Sequence, residues 1–152
     1  MTSKQLGKLE ELAGKRADQS RNVLEREQQQ LWQIEHQRTE LQSINQEYQQ
    51  ALVGGTEVAP RQLAYRRAFV EQLTQKLDEL AEQCELKSQS VHAKSIEHQK
   101  RTAQHTAIEI VNNHRVDADI VLSSQRNQQQ LDEVARSQHF ERTRMGTEND
   151  NE

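Results

Sequence analysis

The residues able to do chemistry in this chain are six histidines, one cysteine and a large number of carboxylates. The histidines are the only candidate metal ligands, and their spacing is wrong for it. His92, His98, His105 and His114 follow one another at intervals that include no pair four apart, the spacing that puts two imidazoles on one helical face. His98 and His105 share a stripe, but seven residues of helix separate them by about 10 Å, too far for one ion to bridge. A histidine that is solvated, or that serves as a polar member of a helical seam, accounts for each of them. Cys84 falls at an apolar position and reads as a small core residue. The sequence contains no phosphate-binding glycine loop, no nucleophile elbow, no Cys-x-x-Cys and no His-Glu-x-x-His. A non-enzyme with no metal and no cofactor is expected.

Composition explains why no pocket is expected either. Only 32% of the 152 residues are apolar and 3% aromatic, while 29% are charged. A layered globular domain uses about 45–50% apolar residues. Disorder would bring Pro, Gly and Ser, but Pro occurs once and Gly five times. The filler is Gln, Glu, Ala, Leu, Lys and Arg, all good helix formers. Long helices burying a narrow stripe satisfy both facts. The net charge of −4, with both signs interspersed, offers no field for nucleic acid. A lone cysteine fits a reducing compartment. No apolar run suggests a signal peptide or a membrane span.

The periodicity assigns an all-α fold, an antiparallel two-helix coiled-coil hairpin over residues 1–145 whose second helix is the longer. In helix 1, expected at about 3–52, apolar residues recur at Leu6, Leu9, Ala13, Ala17, Leu24, Leu31, Ile34, Leu41, Ile44, Tyr48 and Leu52. The steps average about 3.5, the coiled-coil repeat. Thr2 or Ser3 can cap its start. A turn at 53–59 holds Gly54 and Gly55, and Pro60 suits the first turn of helix 2, expected to run to about 140. That seam continues through Leu63, Val70, Leu73, Leu77, Leu80, Cys84 and Val91, fades at Lys94, His98, Arg101 and His105, and resumes at Ile108 and Val111. The polar, acidic stretch 146–152 is expected to be disordered.

A fold at the two glycines makes facing residues add to about 111 in an antiparallel helix pair. The strong seam at 31–52 then faces 60–80, and the weak stretch 13–20 faces 91–98. Residues beyond about 110 would have no intramolecular partner. Ile108, Ile110, Val111, Ile120, Val121, Leu122, Leu131 and Val134 would be left uncovered, as a partner site or as a frayed or self-paired end. Near the turn, Tyr48, Tyr65 and Phe69 gather three of the five aromatics, with Arg61, Arg66 and Arg67 beside them. Tyr48 fits the seam; Phe69 is expected to make partner contacts.

Gln37-x3-Leu41-x6-Tyr48, with Asn45-Gln46-Glu47-Tyr48 inside it, precedes the turn, and Leu63-Ala64-Tyr65-Arg66-Arg67-Ala68-Phe69 through Leu73 follows it. Near the C-terminus stand Gln125 through Ala135 and Glu141-Arg142-Thr143-Arg144-Met145. Together these resemble the FliJ family, the small coiled-coil proteins of the flagellar type III export apparatus. A tyrosine frequent in that family is Ile44 here. The resemblance implies a non-catalytic stalk, similar to the γ subunit of rotary ATPases. Its implied partners are the hexameric export ATPase, the cytoplasmic domain of the export-gate protein FlhA, and export chaperones. It implies a gate-binding set of Gln37, Leu41, Tyr48, Phe69 and Leu73. Analogy with rotary stalks gives an ATPase-binding set of Leu6, Leu9, Ile108, Val111, Ile120 and Leu122. The expected place is the cytoplasm, peripheral to the cell membrane through the export apparatus. The competing readings are the equivalent stalk of a virulence type III secretion system and a plain dimeric structural coiled coil.

Overall fold

The structure, a computed structural model, describes residues 1–54 and 59–148, with side chains through 146. It contains two helices, α1 at Ser3–Val53 and α2 at Pro60–Glu148, and no strand among the described residues. The fold is all-α, and α2 is much the longer helix. Contacts gather it into two units, one of residues Ala13–Gln104 and one of Met1–Leu12 with α2 from His105 onward.

Local chemistry sets the helix ends. Thr2 is the N-cap of α1, and it is capped reciprocally. Its Oγ1 accepts from the Gln5 amide at 3.3 Å, while its own amide donates to Gln5 Oε1 at 2.9 Å. Two of the amides that no helix start can satisfy internally are thereby used. The Gly54 amide closes the last turn of α1 on the Gln50 carbonyl at 3.0 Å. A Cβ at Gly54 would lie 3.3 Å from that same oxygen, a close approach that favours glycine there. Gly55 lies outside the described residues. Pro60 opens α2, where its missing N–H costs nothing, and the Leu63 amide bonds the Ala59 carbonyl at 3.1 Å. At its far end α2 runs past residue 140 to Glu148. Gly146 is therefore helical; residues 149–152 of the acidic tail lie outside the described residues. The Thr143 hydroxyl bonds the His139 carbonyl at 2.6 Å within this extension.

In the unit of Ala13–Gln104, α1 and α2 pack as an antiparallel hairpin along a narrow seam. On α1 the part-buried positions include Ala13, Ala17, Ser20, Leu24, Glu27, Leu31, Ile34, Arg38, Leu41 and Asn45, in steps of 3 and 4, and then Leu52 seven residues on. On α2 they include Leu63, Arg66, Val70, Leu73, Leu77, Leu80, Cys84, Lys87, Val91, Ser95, His98 and Arg101. Leu73, Leu80 and Cys84 are the buried core, Leu80 with only 3% of its surface accessible. Three expected seam residues are exposed: Tyr48, which stands at the edge of the seam, Ile44 and Lys94. Ile44 is exposed because the strict repeat places Asn45 inward, and Lys94 is exposed while Ser95 takes its place.

The register differs from a tight fold at the glycines. Contacting residues add to 117 for Tyr48 with Phe69 and for Glu27 with Ser90, and to 118 for Ser20 with His98. The connection is not centred on Gly54 and Gly55; it continues to Ala59, which shifts α2 along α1 by nearly one heptad. A slip of one heptad keeps apolar rows opposite apolar rows, so periodicity alone does not distinguish the two registers.

In the other unit, Leu6 is buried, Glu10 is half-buried and its carboxylate accepts from the Asn112 side-chain amide. Leu9, expected on the seam, is exposed, since the 3-4 repeat passes through Glu10 instead. From residue 113 to 146 every position of α2 is exposed.

Replacing Leu80 by Ala is expected to cost about 2–4 kcal/mol, from lost burial and the cavity left behind. Leu131→Ala, at an exposed position, is expected to change stability by less than about 0.5 kcal/mol. Thermal unfolding followed by circular dichroism measures both.

Candidate protein-interaction surfaces

Polar groups interrupt the seam, and two of them, Glu27 and Ser20, are answered across it. Glu27 Oε2 accepts from Lys87 Nζ at 3.0 Å and from Ser90 Oγ at 2.9 Å, with about a fifth of each charged side chain exposed. These two donors, with Lys94 contributing at longer range, hold the Glu27 carboxyl below the usual carboxylate value against the opposing effect of burial. Two turns or so further, Ser20 Oγ lies 2.7 Å from the Ala17 carbonyl and 2.9 Å from His98 Nδ1. A hydroxyl carries one proton, and with that proton on the carbonyl, Nδ1 of His98 is the donor. His98 is thus a seam residue tied to Ser20. Among the described residues no group of His, Cys, Asp and Glu is arranged to hold a metal ion.

Near the turn the seam opens onto an aromatic pair. Tyr48 and Phe69 meet with ring centroids 4.8 Å apart and planes tilted by 59°, a favourable geometry for aromatic contact. Both stay accessible, Tyr48 at 38% and Phe69 at 40%, because they sit at the edge of the seam. Of the other residues in the gate-binding set, Leu41 is half-buried one and a half to two turns away on α1, and Gln37 is exposed beyond it. Leu73 is buried in the seam and presents little surface to a partner. Asn45 occupies the adjoining seam position, and its side-chain oxygen is buried with no hydrogen-bond partner. Tyr65 is exposed, and Arg66 is drawn into the seam while Arg61 and Arg67 stay out.

The ATPase-binding set divides differently. Leu6 is buried and Ile108 half-buried in the pairing of the two chain segments, while Leu9, Val111, Ile120 and Leu122 are exposed. Ile120 and Leu122 do not share a face, since each residue turns the helix by about 100°. A coherent stripe instead follows Val116, Ile120, Leu131, Val134 and Met145, separated by steps of 4, 11, 3 and 11 that return to one side. Val116 and Met145 were not read from the sequence as members. The signal for them is the eleven-residue repeat, which a search for strict heptads passes over.

Two helices paired antiparallel through a narrow seam define a coiled-coil hairpin protein that carries accessible apolar groups. The family model described as flagellar FliJ protein matches residues 2–144, and the chain belongs to that family. No curated protein and no solved structure matches the chain. Membership makes the protein a component of the flagellar export apparatus, in a family of non-enzymatic structural parts. Among the described residues no helix is long and apolar enough to cross a membrane.

The ion pair carries a pH dependence of known sign. A carboxyl whose folded value is depressed contributes stability above its unfolded value and loses it as pH falls through the folded one. Glu27→Gln is therefore expected to lower the unfolding temperature at neutral pH, with the gap to the unaltered protein closing in acid below the usual carboxylate range. Unfolding curves from pH 7 to pH 3 test this.

Proposed function

We propose that this protein is a non-catalytic stalk of flagellar protein export, whose turn end contacts the export gate and whose exposed α2 segment contacts the export ATPase. The observation that carries the gate reading is the Tyr48–Phe69 pair, two accessible rings on different helices in direct contact. Rings held against each other lose little further freedom on binding, and large aromatic side chains are the residue types that dominate interface energies. Gln37 and Leu41 continue the same side of α1. The ATPase reading rests on the stripe from Val116 to Met145, a run of apolar side chains left exposed among the described residues. Chaperone escort belongs to the same reading through the family, as does a place at the cytoplasmic side of the membrane.

Coupling in this scheme is mechanical. The protein binds and positions; it transfers no group and moves no electron.

Tyr48→Ala and Phe69→Ala are each expected to weaken binding of the cytoplasmic FlhA domain about tenfold or more, with helicity retained in circular dichroism. Normal affinity in both variants would overturn the gate assignment. For the α2 segment, Ile120→Asp combined with Val134→Asp is expected to abolish co-sedimentation with the ATPase hexamer while leaving FlhA binding intact.

A further inference from the structure

Within the unit of Ala13–Gln104, one flank of the hairpin carries an open groove beside the seam. It is lined by Arg16, Gln19, Ser20 and Val23 of α1 and by Glu97 and Arg101 of α2. The seam is thin there because small side chains, Ala13, Ala17 and Ser20, fill it on α1. Arg16 and Arg101 stand at one level of the hairpin, since their numbers add to 117, as do those of Glu27 and Ser90. Two guanidinium groups thus share the groove with a single carboxylate. Glu97 accepts from Nε of Arg101 at 2.8 Å. The terminal amino groups of Arg101 and the whole head of Arg16 meet no carboxylate among the described residues.

The rest of that flank is positive as well. With about 100° of rotation per residue, Arg26 falls within a quarter turn of Arg16 on α1, whereas Asp18 and Glu25 point the other way. Across the seam from Arg26 stands Lys94, near enough to Glu27 to help hold its carboxyl value down. The two anions of the flank are already answered, Glu27 by Lys87 and Ser90 and Glu97 by Arg101. The charge left over is cationic, in a chain whose net charge is −4. Between Arg16 and Arg26, about two turns from the first and one from the second, Val23 is 38% exposed. The order along the groove is therefore guanidinium, apolar side chain, cation.

We propose that this groove receives an acidic amphipathic helix of another protein, with one carboxylate between Arg16 and Arg101 and an apolar side chain against Val23. A guanidinium presents its N–H groups as a fork that matches a carboxylate. Two arginines with one carboxylate between them are short of an acceptor, and an acidic side chain supplies it. A helix laid in the groove between two others is also the ordinary way for a helix pair to recruit a third. A nucleic acid fits less well, because no aromatic side chain lines the groove for a base to stack on. The site is separate from the Tyr48–Phe69 pair and from the exposed α2 segment, and it depends on neither the gate reading nor the ATPase reading.

The test uses the full chain and two labelled alanine-based helical peptides. One carries a glutamate four residues to either side of a leucine, and the other carries glutamines at those two places. The acidic peptide is expected to bind saturably in fluorescence anisotropy at low salt, about fivefold or more tighter than its glutamine counterpart. Arg16→Gln should weaken it about threefold or more, with Arg16→Lys falling between that variant and the unaltered protein. Arg21→Gln, which removes the same charge where Asp18 already pairs it, should leave binding unchanged. Circular dichroism should show the same helicity in all three variants. Equal binding of the two peptides, no saturable binding at low salt, or equal losses in Arg16→Gln and Arg21→Gln would overturn the proposal. So would an Arg16-dependent affinity for a single-stranded oligonucleotide above that for the acidic peptide, which would assign the groove to nucleic acid. Self-association in sedimentation that Arg16→Gln removes would likewise overturn it, in favour of a second copy of the chain.

Discussion

A half-buried carboxylate at position 27 must meet a cation, and much of the hairpin's geometry follows from that requirement. Taking a carboxylate out of water without a partner is among the costlier changes a fold can make. In the observed register Glu27 meets Lys87 and Ser90. With α2 slipped by nearly a heptad, to the arrangement in which facing residues add to about 111, Glu27 would face Cys84 and Ser20 would face Val91. Both arrangements pair apolar rows with apolar rows. The observed one gives Glu27 and Ser20 their polar partners, so the hydrophobic seam holds the helices together while these polar layers favour one place along each other.

The aromatic pair near the turn depends on that choice. Tyr48 touches Phe69 because their numbers add to the same 117 as those of Glu27 and Ser90. A slip of one heptad would part the rings. An interaction surface built from two helices is thus specified some twenty residues away, by an ion pair that touches no partner. Polar seam residues are known to buy register at a cost in stability. The buried, unpartnered oxygen of Asn45 is consistent with that cost being tolerated near the turn.

Much of this was legible in the sequence. The scarcity of Pro and Gly and the 3-4 spacing of apolar residues were enough for two long helices, and Thr2 and Pro60 marked their starts. The same repeat misled at Leu9 and Ile44, which are exposed, because hydrophobicity was used to choose seam positions that the strict repeat gives to Glu10 and Asn45. A turn centred on the glycines gives the wrong register; the pairs that carry the observed one are Glu27 with Ser90 and Ser20 with His98, polar matches that an apolar periodicity does not contain. The end of α2 was placed too early because Gly146 and acidic composition were weighed above the helix-forming residues around Arg142 and Arg144. Trp32 is different: one exposed tryptophan at a non-seam position carries no periodic signal, and its stack on His36 is visible only in three dimensions.

The most direct test of the register is chemical. With Cys84 replaced by Ala, one protein carries Ser20→Cys with His98→Cys, and a second carries Ser20→Cys with Val91→Cys. Treatment with a short thiol-reactive crosslinker, read by mass spectrometry of the monomer, should join the first pair efficiently and leave the second nearly unreacted. Efficient joining of residues 20 and 91, with 20 and 98 left free, would contradict the account.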